Sequence, residues 1–176
     1  MPSTKIKIVN AGQFIYVYNF QNPLHYGFTK SPRQKREKNK IKTEKTKRSV
    51  FRSAQKVGLV IESNINKYFN KNYRKIPAIS LTLTFAENMT NISSANREFS
   101  KFIQRLNYEA FREKKKLLKY LGVIEFQERG SVHYHIIFFN LSYIPGIYNR
   151  LKKIWGKGYF IEKKVESTGK TVSYFT

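Results

Sequence analysis

Cysteine is absent from all 176 residues. The chain therefore has no disulfide framework and no thiolate metal site, so any metal it holds must sit on oxygen and nitrogen. Acidic residues are scarce: 11 Asp and Glu stand against 34 Lys and Arg, a net charge of +23. That excess goes far beyond what solubility requires and attracts polyanions, nucleic acid first among them. No run approaches the roughly 18 apolar residues that a membrane span needs. The first residues, Met1-Pro-Ser-Thr-Lys-Ile-Lys-Ile, lack the apolar stretch of a signal peptide. No basic helix with an apolar face of the interfacial kind is visible either. A cytoplasmic, intracellular protein with no membrane partner is expected. A nucleotide-binding loop of the Gly-x-x-x-x-Gly-Lys-Ser/Thr type and internal repeats are also missing.

What is present is 40% hydrophobic and 15% aromatic residues, enough for a real core. The length suits one domain with an appended arm. Residues 1–75 read as a basic N-terminal segment. Within it, residues 5–20 form two short strands broken at Asn10-Ala-Gly12. The block 29–48 carries Lys30, Arg33, Lys35, Arg36, Lys38, Lys40, Lys42, Lys45, Lys47 and Arg48, opposed only by Glu37 and Glu44. Such a block is either a solvated linker or an arm that binds phosphates. Val50, Ala54, Val57, Val60 and Ile61 predict a helix over 49–69, weakened by Gly58.

Residues 76–176 read as the core. After Pro77, Ala78 to Phe85 alternates strictly, with Ile79, Leu81, Leu83 and Phe85 on one face and Ser80, Thr82 and Thr84 on the other. Phe99, Phe102, Ile103, Leu106 and Ala110 predict a helix over 95–115, with Ser93 or Ser94 as N-cap. A hairpin follows over 119–141. A shorter helix opens at Pro145-Gly146, buries Ile147, Leu151, Ile154 and Trp155, and ends at Gly156 and Gly158. A strand covers 159–165, and a last helix is expected over 170–176. The order is strand, helix, strand, strand, helix, strand. That is an α+β fold of split β-α-β, RRM- or ferredoxin-like type: an antiparallel sheet with helices mainly on one face. The other face is left free.

The hairpin carries the chemistry. His133 and His135 alternate in a run of aromatic and β-branched residues, so both imidazoles share a face. With the turn at Arg129-Gly130, Glu125 falls opposite His133 and Val123 opposite His135. A His-x-His pair on a strand is usually structural. A carboxylate facing it changes the balance, because three such groups on one face are costly without a ligand or hydrogen bonds. Two imidazoles and a carboxylate make a three-ligand site for a divalent metal, with positions open for substrate. Among 12 tyrosines, Tyr174 is singled out by its place after the last strand, where it can be brought over that face. Its phenol, with a pKa of about 10, is a candidate nucleophile for phosphorus.

These features resemble the HUH endonucleases, in particular rolling-circle replication initiators (Rep proteins). Leu81-Thr-Leu-Thr-Phe85 looks like the family's first motif and His133-Tyr134-His135 like its histidine motif. Glu125 stands where the family commonly places its third ligand. Tyr174 stands where the family has a tyrosine followed by a lysine three residues on, and the sequence stops at Thr176, one residue short of that lysine. The likeness covers about residues 78–176. It implies an HUH core truncated at the tyrosine helix, with catalysis weakened accordingly. It implies Mg2+ or Mn2+ on Glu125, His133 and His135, and Tyr174 cutting single-stranded DNA at a replication origin. A 5′-phosphotyrosine link forms, a 3′-OH is released, and joining reverses the step. Arg129 and the arm residues Lys30, Arg33, Lys35, Arg36, Lys47 and Arg48 would hold backbone phosphates. Host helicase and polymerase are the implied protein partners. The alternatives are a transposase or relaxase of the same superfamily, a metal-dependent nuclease that uses water, and a non-enzymatic RRM-like nucleic-acid-binding module.

Overall fold

The computed structural model describes residues 3–12, 14–25, 42–141 and 147–165. Lys30, Arg33, Lys35, Arg36, Pro145, Gly146 and the expected last helix with Tyr174 lie outside the described residues. The chain divides into two compact units between Ser63 and Asn64.

In the first unit, β1 (Ser3–Ala11) and β2 (Phe14–His25) pair antiparallel, and α1 (Lys42–Asn64) follows. The hairpin turns at Gly12, where φ is 67° and a Cβ would stand 3.2 Å from the Cα and carbonyl oxygen of Ser63. Only glycine combines that dihedral with so close an approach to the end of α1. Alternate residues of β2 set Phe14, Tyr16, Tyr18 and Phe20 in a row, each ring centroid 6.4 Å from the next. Tyr16 donates to the Glu62 carboxylate, and this hydrogen bond, with burial, pushes its phenol up to about 12. α1 starts within the basic block, seven residues before the predicted helix, and its backbone includes Lys47 and Arg48. Lysine, glutamate and arginine are good helix formers, and a turn built from them leaves no apolar periodicity to read.

The second unit is built on a four-stranded antiparallel sheet in the order β4-β5-β3-β6, from β3 (Ile79–Phe85), β4 (Tyr120–Phe126), β5 (Val132–Phe138) and β6 (Gly158–Lys164). Helices α2 (Ile92–Phe111) and α3 (Ile147–Trp155) complete it. This is the α+β, split β-α-β arrangement that the strand and helix order predicts. The strict alternation of β3 sends Leu81, Leu83 and Phe85 into the core with Tyr134, Ile136 and Phe138 of β5. Ala95, Phe102 and Leu106 of α2 and Leu151 and Trp155 of α3 cover that face. Phe99 stacks on Tyr134 at 4.4 Å, with the rings 7° from parallel. Trp155 meets Phe85 edge-on at 5.0 Å and donates its indole N–H to the Thr84 carbonyl at 3.2 Å, so this buried polar group is satisfied.

Three boundaries differ from the sequence reading. The N-cap of α2 is Asn91, whose side chain accepts from the Ser94 amide at 2.9 Å; Ser93 and Ser94 are already helical. Asparagine is as good a cap as serine, and it stands three residues before the amide it satisfies. The helix then ends at Phe111, not 115, with Arg112 left-handed at φ 56°. The buried Asn107 accounts for this early stop. Its amide nitrogen donates to the carbonyls of Glu113 and Lys115, and its oxygen accepts from the amides of Leu117 and Leu118. One side chain thus replaces four helical or strand partners and turns the chain toward β4. The third difference is at Gly158. It opens β6 with φ 153°, where a Cβ would stand 2.3 Å from the Thr84 carbonyl oxygen. Gly156 alone ends α3, left-handed at φ 58°, its amide bonded to the Lys152 carbonyl at 3.0 Å.

Candidate functional site

The hairpin β4–β5 turns through Gln127 to Gly130. The Gly130 amide donates to the Gln127 carbonyl at 2.7 Å, and Gly130 takes φ 78°. That turn fixes the register: Glu125 pairs with His133 and Val123 with His135. On the other side β3 sets Thr84 against His133 and Thr82 against His135. β6 then sets Tyr159 against Thr84 and Ile161 against Thr82. Paired residues share a face, so two rows cross the sheet on the side away from α2 and α3. One row is Glu125, His133, Thr84, Tyr159. The other is Val123, His135, Thr82, Ile161.

The middle of this face is less open than a free sheet face would be: His135 is 5% exposed and Ile137 is fully buried. The flanks are open, with the Glu125 side chain 64% exposed and Tyr159 73%. His135 Nε2 meets the Glu125 carboxylate directly, and His135 Nδ1 lies 3.1 Å from the Thr82 hydroxyl. A hydroxyl both donates and accepts, so Thr82 suits either tautomer of the ring. The two imidazole centroids are 6.4 Å apart. His133 differs from its neighbour, because its Nε2 is buried with no hydrogen-bond partner among the described residues. Burial holds its pKa below the ordinary imidazole range. Repulsion from His135 and Arg129 adds to that effect, and the pull of Glu125 opposes it. A neutral ring is therefore favoured, which is the form that coordinates a metal.

Arg129 is placed by two contacts. Its Nε donates to Gln127 Oε1 at 2.9 Å, and a terminal nitrogen donates to the Phe85 carbonyl at 3.2 Å. The guanidinium is thus tied to the end of β3, close enough to His133 to lower its pKa. This fixed position beside the histidine face was not legible in sequence.

Glu125, His133 and His135 are brought to one face, but they do not converge on one point. Among the described residues, no group of three or more His, Asp or Glu encloses a space for a metal ion. A direct carboxylate–imidazole contact occupies part of the donor set. The orphaned, neutral Nε2 of His133 is the feature that fits a metal ligand, as does the oxygen and nitrogen character of the set. Tyr174 and the arm residues Lys30, Arg33, Lys35 and Arg36 lie outside the described residues, and for Lys47 and Arg48 the description reaches only their helical backbone. Among the described residues, no helix is long and apolar enough to cross a membrane.

Residues 78–176, more than half of the chain, match the family model for Replication-associated protein ORF2/G2P. No curated protein and no solved structure matches the chain.

Proposed function

The chain belongs to the Replication-associated protein ORF2/G2P family, rolling-circle replication initiators of the HUH endonuclease type, and from that premise we propose that it nicks and rejoins single-stranded DNA at a replication origin through a tyrosine-linked intermediate. The observation that carries this reading is the buried, unpartnered Nε2 of His133 beside the Glu125–His135 contact. Burying an imidazole nitrogen without a partner costs free energy that a ligand would recover.

Glu125, His133 and His135 would hold a Mg2+ or Mn2+ ion, which supplies positive charge at the scissile phosphate. Glu125 must leave His135 Nε2 for both to serve, and its exposed position on the edge strand β4 lets it do so. Thr82 orients the His135 ring through Nδ1. Arg129, fixed at the end of β3, places a cation where a phosphate over His133 would lie. Tyr174 attacks phosphorus through its phenolic oxygen, losing its proton to solvent. A bond to the 5′-phosphate forms and the 3′-oxygen leaves, taking up a proton. Tyr159, exposed in the same row as His133, offers a ring on which a base can stack.

One observation favours a second reading. The Glu125–His135 contact satisfies both groups without a metal, as a non-enzymatic binding module would require. It leaves His133 unexplained, and for that reason the nuclease reading is preferred.

The test mixes the protein with labelled single-stranded oligonucleotides and Mn2+ and looks for an adduct that survives SDS. An adduct that disappears with EDTA is expected. Metal-independent binding with no adduct would favour the binding module. A finer expectation concerns Thr82. Thr82→Val keeps the shape but removes the bond to His135 Nδ1, and should weaken Mn2+ binding about 10- to 100-fold, whereas Thr82→Ser should retain it. Calorimetric titration of Mn2+ checks this, and equal affinities in the two variants would show that Thr82 does not position the ring.

A further inference from the structure

The helix side of the second unit carries a feature that the nicking chemistry does not use. A cavity of about 1190 Å³ lies between the C-terminal half of α2, the segment leading into β4, and α3. Its charged lining comprises five cations, Arg105, Lys114, Lys116, Lys119 and Lys153, and one carboxylate, Glu109. Glu109 is already paired with Arg112 and Arg150. None of the four lysines has a carboxylate within ion-pair distance among the described residues. Two aromatic rings stand in the same lining, Tyr108 at 50% exposure and Tyr120 at 41%.

We propose that this groove binds the phosphodiester backbone of a second stretch of nucleic acid, on the side of the sheet opposite the histidines. The inference rests on the reading that the protein acts on DNA. Unneutralised like charges lining one cavity repel one another, and a polyanion that binds there relieves that repulsion and releases its own counterions. Exposed tyrosines between the lysines give bases a surface to stack on. The groove is also built, since Asn107, which lines it, anchors the segment bearing Lys114 and Lys116 through its four hydrogen bonds. Lys114 and Lys116 thus stand on a fixed turn, while Lys153 is held on α3. The two sites are connected by the edge strand β4, with Lys119 and Tyr120 at one end and Glu125 five residues on, roughly 17 Å along the strand. A nucleic acid crossing this edge would reach both faces of the sheet.

The test measures fluorescence anisotropy of labelled single-stranded and duplex oligonucleotides against salt concentration. Replacing Lys114, Lys116, Lys119 and Lys153 with Gln should weaken binding by about tenfold or more near 0.1 M salt, and reduce the log–log salt slope by about 3 to 4. The control replaces Lys67, Lys71, Arg74 and Lys75, exposed on the same unit, with Gln, and should cost less than about threefold, because none of them lines the groove. Lys116→Glu/Lys153→Glu, which leaves Asn107 and its bonds untouched, should reproduce the loss. A larger loss on duplex than on single strand identifies the flanking duplex as the source of the backbone, and the reverse identifies the single strand. Equal losses in groove and control sets would overturn the proposal, since net charge alone would then explain binding. Unchanged DNA affinity with lost binding to polyglutamate would assign the groove to an acidic protein and equally overturn it. The SDS-stable adduct on a short single strand reads the nicking proposal separately, and the groove variant should retain it.

Discussion

His133→Ala/His135→Ala will abolish both Mn2+ binding and the SDS-stable DNA adduct, while Tyr174→Phe will abolish the adduct and leave Mn2+ binding intact. Loss of even an outer-shell partner of a metal ligand costs 10- to 100-fold in affinity, so removing two of three proposed ligands should cost at least about a hundredfold. The fold should survive the double substitution. His133 is partly open and its Nε2 makes no hydrogen bond to lose. His135 gives up contacts to Glu125 and Thr82, both on the face away from the hydrophobic core. Weak DNA binding through the basic surface should persist, because that term is electrostatic and needs no metal. Calorimetry with Mn2+ and a denaturing gel of the labelled oligonucleotide read the two effects independently. An adduct retained by Tyr174→Phe would move the nucleophile to another tyrosine. An adduct retained by the double histidine variant would remove the metal site from the mechanism.

The histidine face was legible in sequence because it depends on two short-range rules. Strand alternation puts His133 and His135 on one side, and the turn at Arg129-Gly130 counts back to Glu125. The apolar faces of β3 and α2 were legible for the same reason, since periodicity records burial directly. The second row across the sheet was not. That Tyr159 aligns with His133 through Thr84 follows from the β3–β6 register, which pairs strands separated by more than 70 residues and leaves no local trace. Asn107 was missed because a polar residue at a core-facing helical position looks like noise until the four backbone groups it satisfies are seen. The Glu125–His135 contact was likewise invisible, because pairing by register opposes Glu125 to His133, and only side-chain direction sends the carboxylate to the diagonal neighbour.

Gly158→Ala should destabilise the second unit by roughly 2–4 kcal/mol, through strain rather than lost burial. Three backbone atoms stand too close to the position a Cβ would take: the Thr84 carbonyl oxygen at 2.3 Å, the Ala86 amide nitrogen at 2.4 Å and the Phe85 carbonyl carbon at 2.8 Å. All belong to the end of β3 and the residue after it, whose amide is already bonded to the Lys157 carbonyl at 2.9 Å. No side chain can swing aside, so β6 must separate from β3 at this end. Gly156→Ala provides the comparison. It too has positive φ, but its Cβ would meet only the Lys153 carbonyl oxygen at 3.4 Å, an ordinary contact. Its cost should stay near the left-handed penalty of about 1–2 kcal/mol. Urea unfolding of both variants checks the difference, and equal costs would show that β6 does not lie so close to β3. The functional consequence separates the two halves of the histidine face. Tyr159 directly follows Gly158 and shifts with it, whereas Glu125, His133 and His135 lie on β4 and β5 and keep their register. A folded Gly158→Ala protein should therefore bind Mn2+ normally and hold single-stranded DNA less tightly, through the displaced Tyr159 ring and the Arg129 guanidinium that rests on the Phe85 carbonyl, and Tyr159→Ala in the unsubstituted background separates the two.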